Sequence, residues 1–170
     1  MNTSFHIERL DRDGWSAFRD LRIAALSDSP DAFSPTAEQA RSHPDTYWQR
    51  AAERLDGAPD AAMFMLRAGA RWIGLGSATR DSDGRGHIGA MWVDPEFRRL
   101  GLGARLLDRA LAFLDAIPCD EIELSVSEGN DHAVALYRSR GFELTGAWEP
   151  LRANSALRNL FMRRRGSTST

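Results

Sequence analysis

An arginine followed by two glycines forms the segment of the chain best suited to bind a ligand. Arg98, Gly101 and Gly103 have the spacing Arg-x-x-Gly-x-Gly, and leucines recur at helical spacing directly afterwards. Amide N–H groups at the start of a helix are unpaired and carry the positive end of the helix dipole. Because glycine lets a ligand approach the backbone closely, the segment predicts a loop that binds a diphosphate.

Two polar side chains that could act near such a loop follow further along the chain. Asn130 and Tyr137 belong to one helical pattern, which ends at Gly141, a residue type common just after a helix. A tyrosine hydroxyl, with a pKa of about 10, stays protonated at neutral pH and can donate a proton. Two plainer roles stay open: Tyr137 could be a core residue, and Asn130 could cap the helix.

The elements that must position these residues alternate along the chain. The segment 87–93 is apolar on both faces, as in a central strand covered by helices. Periodicity and turn residues predict strands over 5–10, 62–67, 72–79, 87–93, 121–126, 142–147 and 159–163. Helices are predicted over 15–26, around 47–55, over 103–115 and over 130–141. The candidate loop therefore joins a central strand to a helix in a mixed α/β fold.

Length and composition are those of one globular domain. The 170 residues are 42% hydrophobic and 27% charged, and compact domains usually have about 100–200 residues. We expect a single domain over 1–165 and a frayed polar tail over 166–170.

The charged residues exclude several functions. All 22 basic residues are arginines, and with 24 acidic residues the net charge is −2. A chain without lysine cannot form a Schiff base, hold pyridoxal phosphate covalently or complete a nucleotide loop that ends in Lys-Ser/Thr. The small negative charge also argues against nucleic acid as a partner.

Cysteine usage and hydropathy predict a cytoplasmic protein without a metal. Cys119 is the only cysteine, and no Cys/His cluster with metal-ligand spacing exists. The N-terminus lacks the pattern of a signal peptide, and no run of 18 apolar residues occurs. We therefore expect a reducing compartment and no association with a membrane.

Two segments resemble the signatures of a known family. Residues 93–103 are similar to the acetyl-CoA signature of the GNAT superfamily of N-acetyltransferases, whose core is Gln/Arg-x-x-Gly-x-Gly/Ala. Residues 126–130, with the pattern Ala133-x-x-Leu136-Tyr137-x-x-x-Gly141-Phe142, resemble the second GNAT signature. The resemblance implies a mixed, mostly antiparallel sheet of six to seven strands, splayed in the middle, with about four helices on its two faces.

The resemblance also implies an activity and a set of site residues. The activity is transfer of an acetyl group from acetyl-CoA to a primary amine, by direct attack in a ternary complex. Backbone groups around Val93 would bind pantetheine, amides from Arg98 to Ala104 would bind the pyrophosphate, and Tyr137 would protonate the departing thiolate. The implied cofactor-binding residues are Met91, Trp92, Val93, Arg98, Arg99, Leu100, Gly101, Leu102, Gly103, Ala104, Asn130 and Tyr137.

The general base is less well defined. An alkylammonium group, with a pKa of about 10.4, must lose a proton before it attacks a thioester. Glu128, just after a predicted strand, is the first candidate, and His87, Asp94 and a water relay are the alternatives.

The acceptor and two other functions stay open. We expect a small-molecule or peptide amine in a pocket shaped by Phe33, Tyr47 and Trp48, while a homodimer remains undecided. A non-catalytic acyl-CoA sensor on the same fold is the first alternative. A nicotinamide dinucleotide enzyme is the second and is disfavoured, because Gly101 lies eight residues after Val93 and Leu106 occupies the third small-residue position.

Overall fold

A seven-stranded mixed sheet forms the centre of the computed structural model, which describes residues 4–168. The strands are β1 (Phe5–Arg9), β2 (Ala61–Ala68), β3 (Arg71–Arg80), β4 (Arg85–Val93), β5 (Glu121–Ser127), β6 (Glu143–Pro150) and β7 (Arg158–Arg165). Their order across the sheet is β1-β2-β3-β4-β5-β7-β6, and only β4 and β5 pair in parallel. The mixed, mostly antiparallel sheet is therefore confirmed.

Five α-helices flank the sheet in the described residues, one more than predicted. They are α1 (Trp15–Asp28), α2 (Ala37–Ser42), α3 (Asp45–Leu55), α4 (Leu102–Asp115) and α5 (Asp131–Arg138). The additional helix is α2, whose start is stabilised by a capping box between Thr36 and Gln39. That Thr-x-x-Gln pattern was the available sequence signal. None of the helices formed by residues 4–168 has the length and apolarity to cross a membrane.

Apolar cores lie on both faces of the sheet. Along β2, Phe64 and Leu66 face α4, whereas Met63 and Met65 face α1 and α3. This alternation follows from the two-residue period of side chains along a strand. With helices on both sides, the central strands are covered, as their apolar sequence predicted.

A bulge in β4 changes the direction of its side chains. Leu75 pairs with Trp92 and Ser77 pairs with Gly89, so one extra residue lies on β4 between these pairs. Ala90 takes a left-handed conformation there, with φ of 53°, which is uncommon for a residue other than glycine. As a result, Ile88 and Met91 both lie on the α4 face although they are three residues apart.

The sheet splits between β4 and β5. Only three residue pairs join the two strands, from Arg85 with Glu121 to His87 with Glu123. Beyond His87, β4 continues to Val93 and β5 to Ser127 without pairing with each other. The predicted splay is confirmed, and it opens a cleft between the two strands next to the bulge.

The C-terminal tail differs from its prediction where it is described. β7 extends to Arg165, and the amides of Gly166 and Thr168 donate to the carbonyls of Asp120 (2.9 Å) and Cys119 (3.0 Å). These bonds hold residues 166–168 against the segment before β5, so they are not frayed. Residues 1–3 of the expected domain and 169–170 of the tail lie outside the described residues.

Candidate active site

The loop before α4 presents unpaired amides to open space. Gly101, the N-cap of α4, has φ of 74°, and an added side chain there would meet no atom within 4 Å. Within residues 4–168, no oxygen accepts a hydrogen bond from the amides of residues 99–104. Amides at a helix start attract anions. The loop therefore fits the pyrophosphate predicted for it.

The side chain of Arg98 is bound within the protein. Its Nε donates to the carbonyl of Val93 (2.9 Å), and its guanidinium forms an ion pair with Asp28. Nε1 of Trp92 donates to the same carboxylate (2.8 Å). Trp92 and Val93 are buried, and the carbonyl of Val93 is bonded to Arg98, so a backbone contact between these two residues and a cofactor stays a prediction. A phosphate contact by Arg98 stays a prediction.

The split between β4 and β5 forms a cleft of about 230 Å³. Its lining comes from the β4 bulge, the end of β5, α5 and its N-cap, one residue each of α1 and β7, and the segment after α1. The lining residues are Arg22, Ala32, Phe33, Ser34, Pro35, Ile88, Gly89, Ala90, Met91, Ser125, Val126, Ser127, Asn130, Ala133, Tyr137 and Asn159. The cleft thus includes three of the predicted site residues, Met91, Asn130 and Tyr137.

Tyr137 lies in the wall of the cleft with its ring buried. The ring is 8% exposed and packs edge-to-face on Phe142, with 6.1 Å between centroids. Burial raises the pKa of Tyr137 to about 12. Within residues 4–168 the hydroxyl has no hydrogen-bond partner, and it is not fully buried. A protonated donor is therefore available to a molecule in the cleft.

The start of α4 adjoins the helix that carries Tyr137. A side chain added at Gly103 would lie 3.9 Å from Leu136, the residue before Tyr137. The loop before α4 therefore lies next to α5, and both helices pack on the same face of the sheet.

Asn130 caps α5. Its side-chain oxygen accepts from the amide of Ala133 at 3.3 Å. The capping role is therefore observed, while contact with pantetheine stays a prediction.

Comparison with known proteins identifies the family. Residues 19–142 match the model of the acetyltransferase (GNAT) family, and the loop and Tyr137 lie within the match. The chain belongs to the GNAT family. The resemblance of its two motifs to the GNAT signatures thus reflects membership.

Curated relatives match this chain over part of their own length. Mycothiol acetyltransferase of Thermobispora bispora is 33% identical over 139 residues, which cover 78% of the chain and 43% of that protein. Peptidyl-lysine N-acetyltransferase YjaB of Escherichia coli is 35% identical over 63 residues, 37% of the chain and 40% of that protein. The aligned residues therefore span less than half the length of each of these two relatives.

Solved structures share the fold. The GNAT acetyltransferase of Streptococcus pneumoniae superposes with a TM-score of 0.83 at 16% identity, covering 96% of this chain and 99% of that one. The protein yncA of Salmonella typhimurium, solved with its cofactor acetyl-CoA, has a TM-score of 0.75 at 18% identity and covers 96% and 94%. The GNAT fold is confirmed by these superpositions.

Glu128 is held in an ion pair outside the cleft lining. Both carboxylate oxygens accept from Arg158, with 2.8 Å between Nε and Oε2. Hydrogen bonding from Arg158 lowers the pKa of Glu128, which makes the carboxylate a weaker base. Its role as the general base stays a prediction, and this geometry disfavours it.

The other two candidate bases also have partners elsewhere. Nε2 of His87 lies 2.9 Å from Asp81, near the start of β4, where β4 and β5 are still paired. Asp94 bonds Arg71 (2.8 Å) and accepts from the amide of Glu96 (3.0 Å). None of the residues that line the described cleft is a carboxylic acid or a histidine.

Cys119 does not line the cleft, and its thiol is poorly suited to act as a nucleophile. Cys119 is 1% exposed, and its thiol donates to the carbonyl of Glu121 at 3.3 Å. Burial raises the pKa of the thiol, so the reactive thiolate is disfavoured. Among residues 4–168, no three His, Cys, Asp or Glu side chains are grouped to hold a metal ion.

The three aromatic residues expected at the acceptor pocket separate. Phe33 lines the cleft. Trp48 is buried against Phe18, with 5.4 Å between ring centroids, and Tyr47 stacks on His43 at 3.8 Å. Of the three residues predicted to shape one pocket, only Phe33 therefore lines the cleft.

Two polar residues of the cleft were missed by sequence reasoning. Arg22 lies four residues after Phe18 and three before Ala25, both buried, so a charged residue occupies the buried stripe of α1. That interruption was a readable signal. Asn159, 5% exposed on β7, had no comparable signal, because it reaches the cleft only through pairing with Ser127 of β5.

Proposed function

We propose that this GNAT chain transfers an acetyl group from acetyl-CoA to a primary amine by direct attack in a ternary complex. The observation that carries the proposal is the phenol of Tyr137, protonated and without a protein partner at the cleft, beside the start of α4. A buried tyrosine hydroxyl normally has a hydrogen-bond partner, so the hydroxyl of this cleft-lining residue, unpartnered within the described chain, is free to donate to a ligand. Membership of the family supports the same reaction.

Each group of residues would have a separate role in binding acetyl-CoA or in the transfer step. Bound acetyl-CoA would supply an activated thioester carbonyl. The amides of residues 99–104 would bind its pyrophosphate, and backbone groups of residues 91–93 would bind its pantetheine arm. The hydroxyl of Tyr137 would donate to the sulfur as negative charge develops there. Asn130 would hold the start of α5, and hence Tyr137, in position.

The attacking amine would lose its proton to water. No side chain lining the described cleft is a base, and the carboxylate of Glu128 is occupied by Arg158. A solvent-open cleft can connect the amine to bulk water through one or more water molecules.

The proposal is tested by measuring thiol release with a panel of primary amines. Purified protein with acetyl-CoA should release free CoA thiol only when an acceptor amine is present, and mass spectrometry should show the acetylated amine. If acetyl-CoA raises the melting temperature but no amine in the panel causes thiol release, the chain is a non-catalytic sensor. If a nicotinamide dinucleotide raises the melting temperature and acetyl-CoA does not, the cofactor assignment is wrong.

A further inference from the structure

Arg22 stands out because its guanidinium has no hydrogen-bond acceptor within residues 4–168. Its Nη1 is completely buried, its other nitrogens are not, and the side chain lines the cleft. Arg9 and Arg164 also have one buried, unpaired nitrogen, but Nη2 of each is bonded, to the carbonyl of Ala61 (2.8 Å) and to Asp115 (2.8 Å). Arg22 is therefore a partly desolvated cation without a counter-ion.

The neighbours of Arg22 compensate little of the free-energy cost of burying its charge. Its guanidinium carbon lies 4.8 Å from the centre of the Phe33 ring, a cation–π contact. Burial nevertheless lowers the pKa of Arg22, as expected where desolvation dominates. A buried charged donor is normally paired, since leaving it unpaired is unfavourable. The absent partner is then expected to be a bound anion.

The position of Arg22 relates that anion to the reaction. Tyr137 belongs to the α4 and α5 face of the sheet, whereas α1, which carries Arg22, packs on the opposite face. The residues of the β4 bulge lie in the cleft between them. Anything bound at Arg22 therefore lies across the split from the phenol, where an acceptor would approach.

Asn159 adds a second polar group to the same cleft. It is 5% exposed, lines the cleft, and its side-chain amide has no partner in the described part of the chain. An amide can both donate and accept hydrogen bonds. Together, Arg22 and Asn159 offer a cation and a neutral polar group to one small molecule.

We propose that Arg22 binds the carboxylate of the acceptor, so that the acceptor is a small amino acid type of molecule with an amine and a carboxylate. The inference rests on the proposed acetyl transfer and specifies its substrate class. An arginine fork matches a planar carboxylate through two parallel hydrogen bonds. The 230 Å³ cleft is smaller than the roughly 300–1,000 Å³ typical of pockets for drug-sized ligands, which favours a small acceptor.

Matched acceptor pairs and Arg22 variants test the proposal. Free amino acids are compared with their carboxamides, which keep the amine and remove the negative charge. Wild type should show a higher kcat/KM for the acids, and Arg22→Gln should lower it about 10- to 100-fold for acids only. The KM for acetyl-CoA should be unchanged. Arg22→Lys keeps the charge but loses the two-pronged guanidinium. Its kcat/KM for the acids should lie between those of wild type and Arg22→Gln.

Controls separate this proposal from the acetyl transfer itself. Arg41→Gln removes an equal charge from α2, where Arg41 donates to Ser27 (2.8 Å) and to no other group in the described residues, and should leave both kcat/KM values unchanged. Amino acids should also raise the melting temperature of wild type but not of Arg22→Gln. Equal rates for acids and carboxamides, or equal loss on both in Arg22→Gln, would overturn the carboxylate site while acetyl transfer stands.

The remaining outcomes are also decisive. If no amine is acetylated but amino acids raise the wild-type melting temperature through Arg22, the transfer proposal fails and the carboxylate site stands. If neither turnover nor melting temperature responds to amino acids, the inference is wrong. A response to a phosphorylated amine alone, such as phosphoethanolamine, would also contradict it.

Discussion

The guanidinium of Arg98 and the carboxylate of Asp28 form an ion pair that links the loop before α4 to the last residue of α1. The same carboxylate accepts from Nε1 of Trp92 at 2.8 Å. Burial tends to raise the pKa of Asp28, but hydrogen bonds from Ser29, Trp92 and Arg98 outweigh it, and the pKa is lowered. The predicted phosphate loop and the helix carrying Arg22 are therefore held together at this point.

Asp28→Asn should weaken this link. We expect a loss of about 1 kcal/mol in the free energy of unfolding, because the charged acceptor of three hydrogen bonds is neutralised. Affinity for acetyl-CoA, measured by calorimetry, should fall severalfold as the loop loosens. Asp45→Asn removes the exposed ion pair between Arg19 and Asp45 (2.7 Å) and is the matched control. An equal loss of affinity in the control would contradict a specific role for Asp28.

The contribution of Asp28 should depend on pH. Because its folded-state pKa lies below the ordinary value of 3.8, the ionised side chain stabilises the fold above that value, and the contribution is lost as pH falls through the folded-state pKa. The difference in melting temperature between wild type and Asp28→Asn should be constant near neutral pH and shrink below about pH 4. A difference that grew on acidification would be inconsistent with this sign.

Gly101→Val tests the phosphate loop. Valine disfavours the positive φ of 74°, which costs about 1–2 kcal/mol of stability, and its side chain enters the space that the pyrophosphate would use. Gly57→Val is the control, because Gly57 has φ of 66° and equally open surroundings but is not in the loop. Both variants should lose similar stability, and only Gly101→Val should lose acetyl-CoA binding in calorimetry. Retained binding would refute the loop assignment.

Tyr137→Phe should affect turnover and not folding. The hydroxyl has no protein partner to lose in the described chain, so the melting temperature and acetyl-CoA affinity should be preserved. Loss of a general acid typically lowers the rate about 100- to 10,000-fold, or roughly 3–5 kcal/mol of barrier. Steady-state kinetics would measure kcat. Activity within about threefold of wild type would mean that Tyr137 serves packing or that the thiolate leaves unassisted.

Glu128→Gln and Arg158→Gln together decide the role of Glu128. Each variant breaks the same ion pair, whose 2.8 Å bond joins partly exposed side chains, so each should lose at most about 1 kcal/mol of stability. If water takes the proton, kcat and its pH profile should change little in both. If Glu128 is the base, Glu128→Gln should abolish the acid limb of the profile, and Arg158→Gln should move that limb to higher pH.

The sequence alone determined the local elements of this protein and much of the cofactor side of its site. The helical spacing of Leu106, Leu107, Leu111 and Leu114 buries those residues in α4, as the pattern predicted. Gly101 takes a positive φ, and Gly141 does so after α5. Such features are readable because they depend on dihedral preferences and periodicity over a few neighbouring residues. The two GNAT signatures are local patterns of the same kind.

The tertiary structure decided which distant side chains meet. Arg98 and Asp28 lie 70 positions apart, and Glu128 and Arg158 lie 30 apart, so neither pairing could be read from spacing. The bulge at Ala90 and the split after His87 depend on how β3, β4 and β5 register against one another. They bring Arg22, Asn159 and Tyr137 to one cleft. The candidate proton donor Tyr137 and the amides predicted to bind phosphate were thus visible in the local sequence. Burial, charge pairing and the acceptor side of the cleft were not visible, because they follow from packing between elements that are distant in the sequence.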